Sequence, residues 1–177
     1  IATDPAKIEK VANWPRPTTV NEVRSFLGFV GYYRKYIQDF SKIAKPLNQL
    51  LTGLETSSKR VAKKTPVQWG ELEQDAFDKL KTACVSAPVL GYADFTKPFI
   101  LHTDSSLDGL GAVLYQKDDS GTPRVIAYAS KGLSKPEKNY PAHKLEFLAL
   151  KWAVTDKFKE YLYGAEFEVY TDNNPLT

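Results

Sequence analysis

The sequence contains no methionine, and its single cysteine is Cys84. One cysteine excludes an internal disulfide framework and is typical of a reducing compartment. Because no histidine or further cysteine clusters with it, Cys84 is predicted to be a small core residue rather than a nucleophile. No apolar run is long enough to cross a bilayer and no secretory signal is present, so we expect no membrane partner. The lack of methionine even at residue 1 predicts a piece of a longer chain or a processed product.

Charge is distributed unevenly along the chain, although the formal net charge is only +3. Residues 1–66 carry 12 basic and 5 acidic residues, a net charge of +7. Residues 67–177 carry 12 basic and 16 acidic residues, a net charge of −4. A part that binds a polyanion beside a part that binds cations would explain this pattern. Two ordinary solvated surfaces would explain it too, so charge alone leaves both interpretations open.

The first half of the chain shows the apolar spacing of amphipathic helices. Thr19 and Glu22 match a capping box, which predicts a helix from there to about Gln38. Ser41 is predicted to cap a second helix. A third helix is expected over residues 71–86, with a buried stripe of Leu72, Ala76, Phe77, Leu80 and Ala83.

Two features of the first predicted helix suit contact with a nucleic acid. Gly28 and Gly31 each weaken a helix by ~1 kcal/mol relative to alanine, so some close approach is expected there. The approaching group is either a nucleic-acid backbone or a tightly packed neighbouring helix. Next to them, Arg34 and Lys35 are interleaved with tyrosines, a pattern that holds phosphates and sugars or forms a plain amphipathic surface: Tyr32, Tyr33 and Tyr36.

Two short predicted strands end in the same dipeptide, Thr-Asp. The segment 99–103 is rich in apolar and β-branched residues, and Asp104 closes it. The segment 166–172 ends in Asp172. Two further strands, at 110–116 and 124–130, are expected to pair antiparallel beside the first. Because a long helical segment then leads to the last strand, we expect a crossover that brings both acids to the carboxyl edge of one sheet.

A third acid, Glu146, lies in an apolar helical run at the rim of the predicted buried face. A capping box at Ser134 and Glu137 is expected to begin this helix, and Pro141 breaks or offsets it. A continuous helix is predicted from Ala142 to about residue 163, and Gly164 is expected to terminate it.

Asp104, Glu146 and Asp172 could therefore converge. Three crowded carboxylates repel one another unless cations bind between them, and an all-oxygen ligand set favours Mg²⁺ or Mn²⁺ over zinc. Two such ions suit in-line attack on a phosphodiester. Each acid alone could instead be a solvated surface charge. No Ser-His-Asp order, phosphate-binding loop or zinc spacing is present, and His102, His143 and Asp108 are predicted to be edge, helix-end and turn residues.

The motifs around these acids resemble the ribonuclease H domain of gypsy-type LTR retrotransposon Pol polyproteins. The residues that carry the resemblance are 99–116, 126–130, 137–140, 145–149 and 170–176. The first part resembles the reverse-transcriptase thumb and connection of the same family, through residues 14–17, 26–34, 46–47, 69, 76–81 and 87–90. The resemblance covers nearly the whole chain in the family's order.

The resemblance implies an α/β fold in which a helical thumb/connection subdomain precedes a ribonuclease H-like mixed sheet. That sheet would have three antiparallel strands, a parallel fourth and crossover helices, truncated at the C-terminus. The implied domains are a thumb-like region and linker (1–66), a connection helix (67–97) and an incomplete ribonuclease H-like domain (98–177).

The implied activity is metal-dependent hydrolysis of the RNA strand of RNA/DNA hybrids. Asp104, Glu146 and Asp172 would be the catalytic and metal-binding acids, with two Mg²⁺ ions or Mn²⁺ as a substitute. Contacts with the hybrid or with the template-primer duplex are expected from eight residues: Arg24, Gly28, Gly31, Arg34, Lys35, Ser105, Ser106 and Asn173.

The resemblance also implies partners and a location. The rest of a Pol polyprotein would supply palm and fingers upstream and an integrase downstream, in cytoplasmic virus-like particles with later access to the nucleus. Two other hypotheses stay open. The chain could be a domesticated module that binds nucleic acid or protein without cleavage, or a structural subdomain that another segment completes.

Overall fold

The computed structural model describes residues 4–52, 64–87 and 90–171, which form two compact units divided between residues 87 and 90. The first unit is helical. It contains α1 (Pro5–Ala12), α2 (Val20–Gly31), a 3₁₀ turn (Arg34–Tyr36), α3 (Phe40–Gln49) and α4 (Glu71–Val85). None of the described helices is long and apolar enough to cross a membrane.

The helical unit is held together by α4, which packs against α3, α1 and α2. Phe26 and Phe77 join α2 to α4, with ring centres 4.7 Å apart. Because α4 shares this core, it belongs to the same compact unit as the preceding helices. The domain limits expected at 66/67 and 97/98 stay predictions.

The capping box at the start of α2 is confirmed. Thr19 Oγ1 accepts a hydrogen bond from the Glu22 backbone N–H at 3.3 Å, and the Glu22 carboxylate accepts one in return from the Thr19 backbone. Thr18 donates to the same carboxylate through its N–H and its hydroxyl, and these bonds lower the pKa of Glu22. The local sequence therefore determines where this helix begins.

The expected end of that helix and the expected start of the next are wrong. α2 ends at Gly31, because the chain turns there to bury Tyr33 and Tyr36 in the helical core. Ser41 is not a cap: it lies inside α3, which begins at the buried Phe40. The preceding residue, Asp39, has a left-handed φ of 57° and makes no capping hydrogen bond.

The buried stripe of α4 is confirmed in part. Ala76, Phe77 and Leu80 are buried, whereas Leu72 is 72% exposed and Ala83 is half-buried. Leu72 lies in the first turn, before the part of α4 that meets its neighbours. Cys84 is a free, buried core residue as predicted, and burial raises the pKa of its thiol to about 11.

The second unit is built on a four-stranded mixed sheet. Its strands are β1 (Phe99–Ser106), β2 (Gly109–Lys117), β3 (Pro123–Lys131) and β4 (Phe167–Thr171), in the order β3-β2-β1-β4. β1, β2 and β3 pair antiparallel in turn, and β4 pairs parallel to β1. The predicted fold class is confirmed. Right-handed crossover geometry is the usual route to such a parallel neighbour.

The two faces of β1 have different surroundings. Phe99 and Leu101 are fully buried in a cluster with Ala149 and Trp152 from the helix that follows the sheet. Thr103 is buried on the same face by strand alternation. His102 and Asp104 alternate onto the opposite face, where the first is half-buried and the second exposed.

The helical segment after the sheet is interrupted. The Ser134–Glu137 capping box forms, but it begins only a 3₁₀ turn (Glu137–Asn139) rather than the main helix. The helix starts at Ala142, as expected after Pro141, and α5 spans Ala142–Trp152. A π-helical turn (Ala153–Lys157) and a short α6 (Lys159–Leu162) replace the expected continuous helix, and Gly164 ends the segment with a φ of +73°.

Candidate functional site

Asp104 lies near the carboxyl end of β1, on the exposed side of the strand. Parallel pairing places Thr103 of β1 opposite Thr171 of β4. Each threonine is followed directly by an aspartate in the sequence, Asp104 and Asp172. Asp172 lies outside the described residues, so the register of the two threonines is the structural fact that links the two strand ends.

Glu146 lies in the second turn of α5, a helix that packs against β1. Its neighbour Leu145 is buried and Phe147 is 62% exposed, so the half-buried Glu146 occupies the boundary between the core and solvent. This is the rim position that the helical spacing predicts. The structure therefore puts two of the three predicted acids, Asp104 and Glu146, on contacting elements.

The described residues contain no group of three histidine, cysteine, aspartate or glutamate side chains that could hold a metal ion. The two described acids offer carboxylate oxygens, which are the ligands that hard divalent cations prefer. A complete three-acid set needs Asp172 as well. In chemical type, these carboxylate donors suit hard divalent cations such as Mg²⁺ or Mn²⁺.

The small polar residues Ser105 and Ser106 extend β1 beyond Asp104, so the β1–β2 turn is only Leu107 and Asp108. Ser105 is half-buried opposite Leu110, and Ser106 pairs with Gly109. Ser106 Oγ accepts a hydrogen bond from the Asp108 N–H at 3.1 Å, so Asp108 acts as the predicted turn residue. His143 is exposed in the first turn of α5. Asn173 lies outside the described residues.

In the helical unit, α2 presents an open face that carries Gly28 and Gly31. A Cβ built on either glycine would meet no atom within 4 Å in the described part of the chain. In the described residues, therefore, no neighbouring helix packs tightly against these glycines, and contact with a nucleic acid stays a prediction. Arg24 lies one helical turn before Gly28 and is half-buried.

The tyrosine- and arginine-containing segment after α2 is partly a core element. Arg34 Nη2 donates a hydrogen bond to Ser41 Oγ at 3.0 Å, and its guanidinium lies 5.1 Å from the centre of the Phe40 ring. Burial lowers the pKa of Arg34. Lys35 is exposed over the Tyr36 ring. Among the three tyrosines, Tyr32 alone is exposed, so the surface offers fewer aromatic groups than the sequence pattern suggests.

Two candidate residues escaped the sequence reasoning: Lys7 and Lys10 of α1. Their ammonium groups lie over the rings of Tyr32, which directly follows α2, and Phe29 of α2. The i, i+3 spacing of the two lysines predicts a shared helix face. No local pattern, however, predicts which helix that face meets.

Comparison with known proteins matches this arrangement to one family. The family described as "RNase H-like domain found in reverse transcriptase" matches residues 69–169. The Pol polyprotein from transposon opus of Drosophila melanogaster is 45% identical over 100% of this chain, and that from transposon gypsy of the same organism is 43% identical over 99%. The chain belongs to the Pol polyproteins of gypsy-type retrotransposons. It spans 18% and 17% of the length of these two relatives.

Solved structures support the fold of this Pol segment. The foamy viral protease-reverse transcriptase in complex with an RNA/DNA hybrid superposes with a TM-score of 0.76 at 23% identity. It matches 99% of this chain and 22% of the viral chain. The same viral protein with double-stranded DNA gives a TM-score of 0.79 at 22% identity, over 99% of this chain and 34% of the other.

Proposed function

We propose that this Pol segment hydrolyses the RNA strand of RNA/DNA hybrids during reverse transcription, while its basic helical unit grips the template-primer duplex. The observation that supports the proposal is the arrangement of β1, β4 and α5, the elements that carry or precede the three acids. Asp104 lies near the carboxyl end of β1, and Glu146 lies on the helix that packs against β1. The parallel neighbour β4 ends at Thr171, which Asp172 follows in the sequence.

In this proposal Asp104, Glu146 and Asp172 hold two Mg²⁺ ions, with Mn²⁺ as a substitute. When bound, such ions supply an activated water and stabilise the leaving oxygen of the phosphodiester. The chain's own part is positioning. The buried Thr103 and Leu145 anchor the strand and the helix that carry the adjacent carboxylates of Asp104 and Glu146.

Selection of the RNA strand requires contacts with its 2′-hydroxyl groups. Ser105, Ser106 and Asn173 follow the two predicted catalytic aspartates in the sequence and carry small polar side chains. Ser105 and Ser106 end β1, beside the β1–β2 turn and next to Asp104. We assign these residues to the hybrid, and the exposure of Ser106 to solvent also supports its assignment.

The grip on the duplex is assigned to the open face of α2. Gly28 and Gly31 leave room for a nucleic-acid backbone, and Arg24 lies on the same helix to meet a phosphate. Lys35 adds an exposed cation after α2. Arg34 contributes less, because its guanidinium already binds Ser41.

The roles of the polyprotein outside this segment are inferred from the relatives, which are whole Pol polyproteins. We propose that palm and fingers precede this segment, that an integrase follows it, and that the assembly works in cytoplasmic particles with later access to the nucleus. Polymerisation of DNA would belong to the upstream part.

The test is cleavage of a labelled RNA/DNA hybrid by the 1–177 chain and by a chain extended past residue 177, with Mg²⁺ and with Mn²⁺. We expect metal-dependent cutting of the RNA strand in at least the extended chain, and its loss in Asp104→Asn. Cleavage that survives Asp104→Asn would contradict the assigned site. If an extended chain bound the hybrid but never cut it, the hypothesis of a domesticated binding module would replace the proposal of catalysis.

A further inference from the structure

α1 presents two lysines to the exposed side of α2. Lys7 Nζ lies 4.7 Å from the centre of the Tyr32 ring, and Lys10 Nζ lies 5.2 Å from the centre of the Phe29 ring. Lys10 Nζ is also 5.7 Å from the Trp14 ring. Spaced i, i+3, the two lysines share one face of α1 and form a short row of cations beside α2.

The aromatic rings orient these ammonium groups without neutralising them. A cation–π contact occupies one side of an ammonium and leaves N–H donors on the other side. In the part of the chain that the structure describes, neither lysine is ion-paired with a carboxylate, whereas Lys79 of α4 pairs with Asp75 at 2.9 Å. The positive charge of Lys7 and Lys10 is therefore available to an external anion.

In the described residues, none of the nearby acids forms an ion pair with either lysine. Asp4 accepts a hydrogen bond from the Ala6 N–H as the cap of α1, and the Glu22 carboxylate is occupied by Thr18 and Thr19. Glu9 lines a groove of about 730 Å³ together with Lys10. It is nevertheless one residue from Lys10 and two from Lys7, spacings at which helical side chains do not face each other.

The surface between the two lysines and Gly28 is open. Tyr32 is 70% exposed, and Gly28 and Ser25, one and two turns earlier on α2, are exposed as well. A duplex lying against the glycine face of α2 would bring its sugar-phosphate backbone past Tyr32 and towards α1. Phosphate groups are the anions that such a backbone offers at regular intervals.

We propose that Lys7 and Lys10 bind backbone phosphates of the duplex held on α2, so that α1 is a second element of the grip. The inference rests on the proposed role of α2 as a duplex-binding helix. Because the rings of Tyr32 and Phe29 already restrict the lysine side chains, less conformational entropy is lost when phosphates bind.

The test measures how binding of a labelled RNA/DNA hybrid to the 1–177 chain depends on salt, by fluorescence anisotropy at several KCl concentrations. Each phosphate contact contributes about 0.9 to the slope of log K against log[salt]. We expect Lys7→Gln/Lys10→Gln to reduce the slope by about 2 and to weaken binding by roughly tenfold per contact at 0.1 M salt. Lys7→Arg/Lys10→Arg should keep the wild-type slope, because it keeps both charges.

Lys79→Gln is the matched control, since it removes one exposed lysine charge elsewhere in the same unit and should leave the slope unchanged. A double glutamine variant with the wild-type slope would overturn the inference. If Arg24→Gln still weakened binding in that case, the proposed grip by α2 would stand without α1. No binding by the wild-type chain would overturn the grip and the inference together.

Discussion

The two faces of β1 differ in what surrounds them, although their residues alternate along one strand. Leu101 and Thr103 point into the packed core beneath α5, whereas His102 and Asp104 point to the more open side. Strand alternation lets a single segment stabilise the sheet and present an exposed carboxylate, which we propose to be catalytic. The comparison teaches that two of the candidate acids, Asp104 and Glu146, directly follow buried residues, Thr103 and Leu145, which fix the strand and the helix in the core.

The largest expected effect is at Glu146, a rim residue of α5, the helix that packs against β1. Replacing Glu146 by glutamine removes one carboxylate of the proposed metal site, and we expect hybrid cleavage to fall about a thousandfold, or roughly 4 kcal/mol in activation free energy. Steady-state cleavage rates would measure the loss. Glu160→Gln, the same change at an exposed position of α6, should leave the rate unchanged. Equal rates in wild type and Glu146→Gln would remove this residue from the site.

On the packed side, the expected effect is on stability. Leu101→Ala leaves a cavity in a fully buried position, and the free energy of unfolding should fall by about 2–5 kcal/mol. Val113→Ala truncates a half-buried residue that pairs with His102 on the opposite face, so its cost should be clearly smaller, below about 1.5 kcal/mol. Denaturant unfolding followed by circular dichroism would compare them. Similar losses in both variants would mean that the two faces are equally packed.

The turn that joins the two antiparallel strands should show an intermediate effect. Gly109 has a φ of +145°, and a Cβ there would lie 2.6 Å from the Lys131 carbonyl oxygen. Gly109→Ala should therefore destabilise the sheet by about 1–3 kcal/mol. Gly121→Ala is the control, because Gly121 also has a positive φ but no atom near its Cβ position. Thermal melts that rank Gly121→Ala as the more harmful change would contradict the close contact at Gly109.

The smallest expected effect lies in the β2–β3 loop, far along the chain from the acids. Hydrogen bonds from the Ser120 hydroxyl, the Thr122 N–H and Arg124 lower the pKa of Asp118 to about 2. A carboxyl group with a lowered folded-state pKa stabilises the fold above its unfolded value of about 3.9, and this contribution is lost as the pH falls towards 2.

Asp118→Asn should therefore lower the melting temperature at pH 7 and flatten its decline between about pH 4 and pH 2. Melting temperatures across this range would measure the effect, with Asp119→Asn as the control for a neighbouring exposed carboxylate. A wild-type and an Asp118→Asn profile that run parallel would show that the loop bonds do not form in solution.

Much of the sheet unit could be predicted from short-range patterns. The β-branched run before Asp104, the repeated Thr-Asp ending and the position of Pro141 before α5 are local signals, and the structure confirms the strands and the start of the helix. Local signals failed where burial decided the outcome. Tyr33 and Tyr36 end α2 early because their rings enter the helical core, and the hydroxyl of Ser41 serves Arg34 instead of a helix terminus.

The sequence by itself determined the order of the strands along the chain, the identity of the three candidate acids and the cap that starts α2, because each depends on residues close together in the chain. Only the tertiary structure decided that Thr103 lies opposite Thr171, that α5 covers the Leu101 face of β1, and that the lysines of α1 meet aromatic rings in and just after α2. Those contacts join residues distant in the sequence, and they form only because the buried faces of separate elements must pack together.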